Sequence, residues 1–578
     1  MWHLLLAGFG PPIVGAVIEG LWARANVVWL GGLSFVGEGV LWMAPASSLV
    51  LIGLPSFVLG AIVRKRSPAL GVRTALFASS TLALFALLSV AGGIHWLAWL
   101  LVAAGVSSRL AVGRERLALR VLRPLTLLAI AIASLGTIAQ SLRASGDPVE
   151  PADSDGPDIV VIFLDTVRAW NLGLYGYERP TTPALDRLAA TSVVYERAIA
   201  PAPWTLASHA SAFTGQPASR LSTGWRSSLD DTYPTLAEAL ASRGYRTGGF
   251  VANVEYCSSE TGLARGFQHY EDYRNSPMQV LVSSRFGNFL HQKVSWLASL
   301  FLPELWRPHQ QPDRKLAADV VDATLDWIRT ADRQRPFFAF LNMYDAHAPY
   351  WPPDLEAYLE RAEAVAGQAR YAESDTLLAR YDGGIAYMDA EIRRFLLELD
   401  RDGRLENTLL VITSDHGEEF FEHGMLGHGD SLYWPALHVP LIIRMPGARA
   451  GGTRIEGPTP LTAIPSLVMD VVAPGEPSPF PGPPLPLESG EDQGTSVYSE
   501  VRFAENRPEE SPISKGDMKS LVTDSLHYIR MGDGSTELYD HRRDPLEQTD
   551  LSGRAPALER RLAGELERFL PPITGGGR

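Results

Sequence analysis

The chain has 578 residues, one cysteine and a mean hydropathy of 0.00. That average hides two unlike parts, because residues 1–143 carry 11 basic and 3 acidic residues while the rest carries 40 basic and 62 acidic ones. The acidic second part argues against nucleic acid as a partner, since a polyanion binds to a basic surface. The single cysteine excludes an intrachain disulfide.

Five apolar stretches in the first part are each long enough to cross a hydrocarbon layer of about 30 Å. Charged residues are sparse throughout them, which favours a membrane region over the buried helices of a soluble domain. The sequence therefore predicts about five transmembrane helices within residues 1–142, near 3–22, 40–63, 73–92, 94–112 and 122–142.

Two groups of basic residues set the predicted orientation. One group lies between Arg64 and Arg73, and the other lies between Arg109 and Arg123. Both are expected in the cytoplasm, because basic loops remain on that side of the membrane, and two spans separate them. The fifth span then carries the chain outward. This predicts a multi-pass cell membrane protein whose following domain is periplasmic or extracellular.

A polar linker at 143–157 is followed by alternating strand and helix patterns. "DIVVIFL", "TGGFVAN", "PFFAFLN", "TLLVITS" and "HVPLIIR" are typical of buried strands, and helical patterns separate several of them. The alternation predicts an α/β sandwich around a mostly parallel sheet over residues 158–472. A proline-rich linker at 473–492 then precedes short strands and a final helix, which predict a small α+β C-terminal subdomain over residues 493–578.

Three of the predicted strands end in residues that suit a metal site. Asp165 follows the first strand, Asp415 and His416 follow "TLLVIT", and Asp345 and His347 follow "PFFAFLN". Ligands of such sheets gather beyond the carboxyl ends of the strands. Carboxylates combined with an imidazole favour Mn²⁺ or Zn²⁺, with Ca²⁺ and Mg²⁺ as alternatives that prefer all-oxygen shells.

Thr205, in "APAPWTLASHASAFTG", precedes a predicted helix that begins at about Leu206. Its hydroxyl either caps that helix, which is the usual role of a threonine there, or acts as a nucleophile once a metal lowers its pKa. Free N–H groups at the helix start also favour an incoming anion. The local sequence favours the cap, whereas the Asp and His residues at neighbouring strand ends favour the nucleophile.

From about residue 157 to 450 the chain resembles the sulfatase family of the alkaline-phosphatase superfamily. The resemblance is carried, in chain order, by "DIVVIFLDTVRAW", "APWTLASHASAFTG", "YDAHAPYWPP" and "TSDHGEEFFEHGMLGHG", and further on by "ELYDHRRDPLEQTDL". It implies an alkaline-phosphatase-like α/β fold. It also implies a set of site residues: the metal ligands Asp165, Thr205, Asp415 and His416, and the catalytic residues Thr205, His347 and His428.

Several positions depart from the family pattern. Sulfatases oxidise a Cys or Ser to formylglycine, an aldehyde that a threonine cannot form because its β-carbon carries a methyl group. Cys257 lies outside the nucleophile motif and cannot substitute. Thr166 replaces the second Asp of the usual pair, which points away from an all-carboxylate calcium site. His209 stands where the motif has an arginine, so its role stays open, and His423 is interpreted as structural.

The sequence therefore predicts a membrane-bound, metal-dependent hydrolase or transferase that acts on phosphate esters or diesters through a covalent Thr205 intermediate. Its expected substrate is a lipid head group or an envelope glycan. One alternative is a sulfate-ester hydrolase that works without formylglycine. The other is a non-catalytic membrane protein that binds glycans or lipids, and the intact set of site residues argues against it. The oligomeric state is not predicted.

Overall fold

The computed structural model describes most of the chain, with gaps. Residues 145–155 of the predicted first linker and parts of the proline-rich linker lie outside the described residues. So do most of residues 273–313. The described residues are 1–25, 40–89, 96–112, 115–144, 156–225, 227–272, 284, 286–287, 289–290, 293, 314–330, 335–353, 355–366, 376–482, 485–488, 496–504 and 507–570.

One compact unit comprises Met1–Asp147 and Tyr273–Asp313. Its helices pack through small residues: the Ser79 hydroxyl donates to the carbonyl of Ala7, and Gly60 and Gly71 allow two helices to approach closely, as is common between membrane helices. The described helices are α1 (Trp2–Ala25), α2 (Val40–Ser48), a π-helical turn (Leu49–Gly53), α3 (Leu54–Arg64), α4 (Pro68–Ser89), α5 (Trp96–Ala111) and α6 (Glu115–Ala144).

The described residues of this unit contain three helical stretches that are long and apolar enough to cross a membrane, judged by length and composition. These are Ala44–Arg64, Pro68–Leu88 and Glu115–Leu135, while Trp2–Ile18 and Leu97–Ala111 are apolar but shorter. All five predicted stretches are therefore helical where they are described. The membrane crossing, the number of spans and the orientation stay predictions.

Two helices begin well before the predicted spans: α4 begins at Pro68, so Arg73 lies inside it, and α6 begins at Glu115. Arg116, Arg120 and Arg123 were expected in a loop before the last span, but they lie inside α6. The surrounding Leu, Ala and Arg residues all have high helix propensity, so the helix begins well before the apolar stretch does.

The second compact unit comprises Pro148–Asp272 and Arg314–Arg578. Residues 273–313, which were expected inside the catalytic domain, are thus grouped with the first unit, and the predicted domain boundaries stay predictions. The strands of its main sheet are β1 (Asp158–Leu164), β2 (Val193–Ile199), β3 (Arg246–Val251), β4 (His269–Glu271), β5 (Phe337–Met343), β6 (Thr408–Thr413), β9 (His438–Arg444) and β10 (Arg454–Pro460).

Among the described residues, these eight strands form one sheet in the order β10-β2-β9-β6-β1-β5-β3-β4. Neighbouring strands are parallel except where β9 meets β2 and β6. The prediction of a mostly parallel sheet is confirmed. A short hairpin, β7 (Glu419–Phe420) and β8 (Leu426–Gly427), lies beyond the end of β6.

The sheet is covered on both faces, which explains why its strands are apolar throughout. Side chains of β1 alternate between two hydrophobic clusters, with Phe163 in one and Ile162 in the other. The helices of this α/β sandwich are α7 (Pro183–Leu188), α8 (Thr205–Thr214), α9 (Leu236–Ser242), α10 (Ala317–Arg329), α11 (Leu355–Ala366), α12 (Thr376–Arg401), α13 (Trp434–Leu437) and α14 (Ile464–Val472).

The C-terminal part is an antiparallel sheet with one helix, as expected for an α+β subdomain. One face of this sheet shares the main core, for example through Val497 and Val522, while Tyr528 and Leu538 on the other face pack against Leu562 of the helix. The elements are β11 (Val497–Val501), β12 (Met518–Val522), β13 (Leu526–Arg530), β14 (Thr536–Asp540) and α15 (Pro556–Leu566).

Candidate active site

The carboxyl ends of neighbouring strands bring the predicted metal ligands together. β1 and β6 are parallel, and Phe163 is paired with Thr413. Asp165 and Asp415 each lie two residues beyond this pair, so they stand side by side. With His416 they form a fully buried group in which one ligand atom from each residue lies within 4.8 Å of the others.

Each carboxylate of this group has one oxygen held by the protein and one without a donor. Oδ2 of Asp165 accepts hydrogen bonds from the side-chain amides of Asn253 (2.9 Å) and Asn342 (3.3 Å). Oδ1 of Asp415 accepts the backbone N–H groups of Thr166 and His416. The other two oxygens, Oδ1 of Asp165 and Oδ2 of Asp415, are buried and have no hydrogen-bond donor among the described residues.

His416 offers the third ligand atom in the correct protonation state. Its Nδ1–H donates to the carbonyl of Gly417 at 2.9 Å, which leaves Nε2 as a free lone pair. Burial and the charge of His428 lower the pKa of His416 to about 3, so the ring is neutral at physiological pH. A neutral imidazole whose second nitrogen is fixed by a carbonyl is the usual form of a metal-bound histidine.

The electrostatics of the group also fit a cation. Burial and the charge of Asp415 raise the pKa of Asp165 well above its ordinary value, and burial raises that of Asp415. Two buried carboxylates this close repel each other unless a cation lies between them. The two orphaned oxygens and the free Nε2 therefore suit a divalent metal ion, and the mixed N/O set matches Mn²⁺ or Zn²⁺ better than Ca²⁺ or Mg²⁺.

Thr205 is the first residue of α8, one position earlier than predicted. Trp204, with extended backbone angles (φ −158°, ψ 155°), holds the N-cap position that was considered for Thr205. The Thr205 side chain is 2% exposed, and its Oγ1 lies 3.4 Å from Nε2 of His416. The threonine hydroxyl therefore lies beside the metal-ligand group, at the N-terminus of a ten-residue helix.

The side chains of His209 and Thr166 bond to the backbone of two candidate site residues, Thr205 and Asp165. Nδ1–H of His209 donates to the carbonyl of Thr205 at 2.9 Å, and the same nitrogen lies 3.5 Å from Oδ2 of Asp415. Thr166 has a left-handed φ of 63°, which is costly for a β-branched residue, and its hydroxyl donates to the carbonyl of Asp165. Its side chain is therefore tied to the backbone and stands outside the ligand group.

Two further histidines lie next to the metal-ligand group. The ring of His428 is 4.3 Å from that of His416 and 5.0 Å from that of His347, measured between centroids. Nδ1–H of His347 donates to the carbonyl of Ala348, and Nδ1–H of His428 donates to the carboxylate of Glu418 at 2.8 Å. Each ring thus has Nε2 left for a substrate.

The two histidines differ in charge. Burial and the positive charge of His428 lower the pKa of His347 well below its ordinary value, so His347 is neutral. Burial acts to lower the pKa of His428, but the Glu418 carboxylate, together with Asp165 and Asp415, outweighs it and the net pKa is raised. His428 is therefore suited to give up a proton, while His347 is suited to orient a ligand.

Two further residues of the site, Glu418 and Asn342, were not predicted from the sequence. Glu418 is fully buried, and its second oxygen accepts the hydroxyl proton of Tyr350 at 2.9 Å. Its place in "SDHGEE", two residues after a metal ligand, was the available signal. Asn342 lies inside β5 and gave no signal, because a single amide in a buried strand is recognised only through its partners.

Asp345 and His423, which also stood out in the sequence, bond to residues outside the metal-ligand group. The carboxylate of Asp345, which follows a third strand end, accepts the backbone N–H of Ala317 and lies outside the metal-ligand group. His423 pairs with Glu419 at 3.1 Å and stacks on Tyr433 with a centroid distance of 3.9 Å, as its structural interpretation requires.

Comparisons with known proteins agree with this geometry. The sulfatase family model matches residues 157–472, more than half of the chain. The chain belongs to the sulfatase family. An arylsulfatase of Clostridium perfringens is 26% identical over 332 residues, which cover 50% of this chain and 69% of that protein. Human arylsulfatase A is 25% identical over 446 residues, which cover 69% and 83% of the two chains.

The fold is also that of solved relatives. The phosphonate monoester hydrolase of Agrobacterium radiobacter superimposes with a TM-score of 0.52 and 20% identity, covering 72% of this protein and 95% of that chain. The alkaline-phosphatase-like α/β fold and membership of a hydrolase family are thereby shown. The individual roles of Thr205, His347 and His428 stay proposals.

Proposed function

We propose that this sulfatase-family hydrolase acts on phosphate esters or diesters, of a lipid head group or an envelope glycan, through a covalent Thr205 intermediate. The position of the Thr205 hydroxyl carries the proposal. It lies at the start of α8, 3.4 Å from Nε2 of His416 and beside the two orphaned carboxylate oxygens. Because threonine cannot become formylglycine, its own hydroxyl must be the nucleophile if this site is catalytic.

Asp165, Asp415 and His416 would hold the metal ion, with Thr205 as a further ligand. When bound, a divalent cation lowers the pKa of the hydroxyl and offsets charge on the phosphoryl oxygens. The N-terminal N–H groups of α8 are placed to orient those oxygens, where fixed donors contribute most to catalysis. Nε2 of the neutral His347 is a lone pair, so it is placed to accept a hydrogen bond from the attacking water.

The reaction then has two displacements. Oγ of Thr205, having lost its proton to solvent, forms a bond to phosphorus while the bond from phosphorus to the leaving oxygen breaks. The leaving oxygen takes the proton from Nε2 of His428. In the second step water attacks the phosphothreonine and gives a proton to Nε2 of His428, the bond from phosphorus to Oγ breaks, and Oγ of Thr205 takes a proton from solvent. An acceptor alcohol in place of water gives transfer instead of hydrolysis.

The Thr205→Ala variant tests this scheme. Loss of the nucleophile is expected to reduce kcat on a phosphodiester by about 10⁴-fold or more. Thr214→Ala is the matched control, because Thr214 lies in the same helix and is equally buried, and its hydroxyl bonds only the nearby backbone of Ala210 and Gln216. Full activity of Thr205→Ala against phosphodiesters refutes the proposal. A phosphorylated Thr205 peptide found by mass spectrometry supports it directly.

A second candidate is a sulfate-ester hydrolase that uses Thr205 without formylglycine. The arylsulfatases among its relatives favour it. Sulfate and phosphate esters that share one nitrophenyl leaving group separate the two candidates. We expect kcat/KM to be higher on the phosphate compounds, and a clear preference for the sulfate ester supports the second candidate.

We also propose that α1 to α6 hold the catalytic unit at a membrane. Large apolar side chains are exposed on these helices, including Leu101 (73% exposed) and Leu127 (62% exposed). Such a surface is costly in water and suits lipid. Extraction of cell membranes at alkaline pH tests this: an integral protein stays in the pellet, and release into the supernatant contradicts the proposal. Reporter fusions at either end test the predicted orientation.

A further inference from the structure

Arg314 is a buried cation beside the candidate active site. Its backbone forms a bridge with Asn253, whose side chain binds Asp165, and its side chain is only 6% exposed. A guanidinium keeps its charge in proteins, so its burial needs compensation by an anion. The question is which anion compensates Arg314.

The described part of the chain supplies no carboxylate partner for this guanidinium. Nη2–H donates to the carbonyl of Ala348, the plane lies against the ring of Tyr344 with Cζ 4.7 Å from the centroid, and Nε is buried without an acceptor. The nearby Asp345 is engaged with the N–H of Ala317. Burial raises the pKa of Asp345 to about 7 despite the charge of Arg314, so it is not a fixed counter-charge.

The same contacts place Arg314 next to His347. Both side chains donate to one acceptor, the carbonyl of Ala348. Both also lie against the ring of Tyr344, with a centroid distance of 4.3 Å for His347. The unpaired Nε–H of Arg314 and Nε2 of His347 are therefore held near each other by shared partners.

The substrate of the proposed function is an anion, and the site has few fixed positive charges to receive it. At the place where the family motif has an arginine, this chain has His209, whose pKa burial lowers. A guanidinium that presents several donors in one plane is well suited to the oxygens of a phosphate or sulfate ester.

We propose that Arg314 is a substrate-binding residue that takes an anionic oxygen of the tetrahedral ester group beside His347. This inference rests on the proposed function for the identity of the site, and it extends to a residue that no motif marks. The bound anion would supply the counter-charge that the described residues do not provide. Binding of the ester group would then also compensate the buried charge of Arg314.

The test measures anion binding in the full chain, purified in detergent with Mn²⁺ present. Inorganic phosphate and inorganic sulfate are titrated against Arg314→Met, Arg314→Lys and Arg444→Met by thermal shift and as competitive inhibitors. Arg444 is the matched control, since it is 7% exposed and bonds Leu405 and Glu406. It pairs with Leu410 near the amino end of β6, whereas the candidate site lies beyond the carboxyl end of that strand. A ligand that binds only the folded state raises Tm, so thermal shift reports binding without turnover.

Loss of a charge-assisted hydrogen bond is expected to weaken anion binding by about 10- to 100-fold in Arg314→Met. Arg314→Lys keeps the charge without the planar fork and should fall between that variant and the wild type. Arg444→Met should bind the anions like the wild type. Unchanged binding in Arg314→Met, equal losses in both methionine variants, or no saturable anion binding by the wild type overturns the proposal.

Repeating the thermal shift in a Thr205→Ala background separates this inference from the nucleophile. Anion binding that persists in Thr205→Ala and is lost on adding Arg314→Met supports Arg314 whatever the nucleophile is. If Thr205→Ala still turns over substrate while Arg314→Met loses anion binding, the Thr205 mechanism fails and Arg314 stands. If Thr205→Ala is inactive and Arg314→Met binds the anions normally, the Thr205 mechanism stands and the proposal for Arg314 fails.

Discussion

Two histidine–glutamate pairs in this protein have nearly the same local structure and different surroundings. In the candidate site, His428 donates from Nδ1 to Glu418, whose other oxygen binds the Tyr350 hydroxyl. In the C-terminal sheet, His527 donates to Glu547, whose other oxygen binds the backbone N–H of Trp434.

The two pairs differ in the surroundings of Nε2, the second ring nitrogen of each histidine. Nε2 of His527 is buried and has no partner among the described residues, and its side chain has no exposure. The His428 side chain is 20% exposed and its ring lies against that of His416. A charged pair that leads to a reactive centre is suited to proton transfer, whereas an enclosed pair joins two segments of the fold. The hydrogen bond from histidine to glutamate is present in both pairs, so it does not distinguish a proton-transfer role from a structural one.

Removing the imidazole in the site should have the largest effect. His428→Gln keeps a hydrogen bond to Glu418 but cannot donate a proton, so kcat/KM on alkyl phosphate esters should fall by about 10²- to 10⁴-fold. The loss should be much smaller for a nitrophenyl ester, whose leaving group needs no proton. Steady-state kinetics on both substrates measures this. A loss of the same size on both assigns His428 to holding the phosphoryl oxygens instead.

Changing the carboxylate tests whether the pair acts as a unit. Glu418→Gln removes the charge that raises the pKa of His428, so activity should fall by about 10- to 100-fold, as for other groups that orient a reactive histidine. The descending limb of the pH–rate profile, where His428 loses its proton, should also move to lower pH. An unshifted limb contradicts this assignment. Glu547→Gln is the matched control and should leave both kcat and the profile unchanged.

The C-terminal pair should show the opposite pattern. His527→Gln breaks a buried, charge-assisted hydrogen bond and should lower the free energy of unfolding by about 1–3 kcal/mol. Denaturant unfolding measures the change, and kcat of the folded fraction should equal that of the wild type. A fall in kcat without a fall in stability would show that the two pairs are not distinct in function.

Asp345 is a third buried ionisable group near the site, and its carboxylate binds the first backbone N–H of helix α10. Burial raises its pKa from 3.8 to about 7, so the folded state retains a proton that the unfolded state loses. Its contribution to stability is therefore present below about pH 4 and is lost as pH rises toward 7. Unfolding at several pH values should show that Asp345→Asn lacks this part of the slope. Parallel curves for both proteins contradict the assignment.

The sequence predicted much of the fold because its signals are local. Apolar runs predicted the N-terminal helices, and buried strand patterns predicted the mostly parallel sheet. Asp165, Asp415 and His416 were also predictable, since each directly follows a strand and parallel strands end at one edge. The start of α6 was missed because helix propensity continues beyond the apolar stretch.

What the sequence determined by itself was the composition of the site: a threonine that cannot become formylglycine, with carboxylates and an imidazole at strand ends. Only the tertiary structure decided how these residues are used. Long-range contacts leave one oxygen free on Asp165 and on Asp415, make Asp345 a partner of α10, and join Arg314 to His347 through the Ala348 carbonyl. Such roles depend on hydrogen bonds between distant segments, and the order of residues along the chain does not encode them locally.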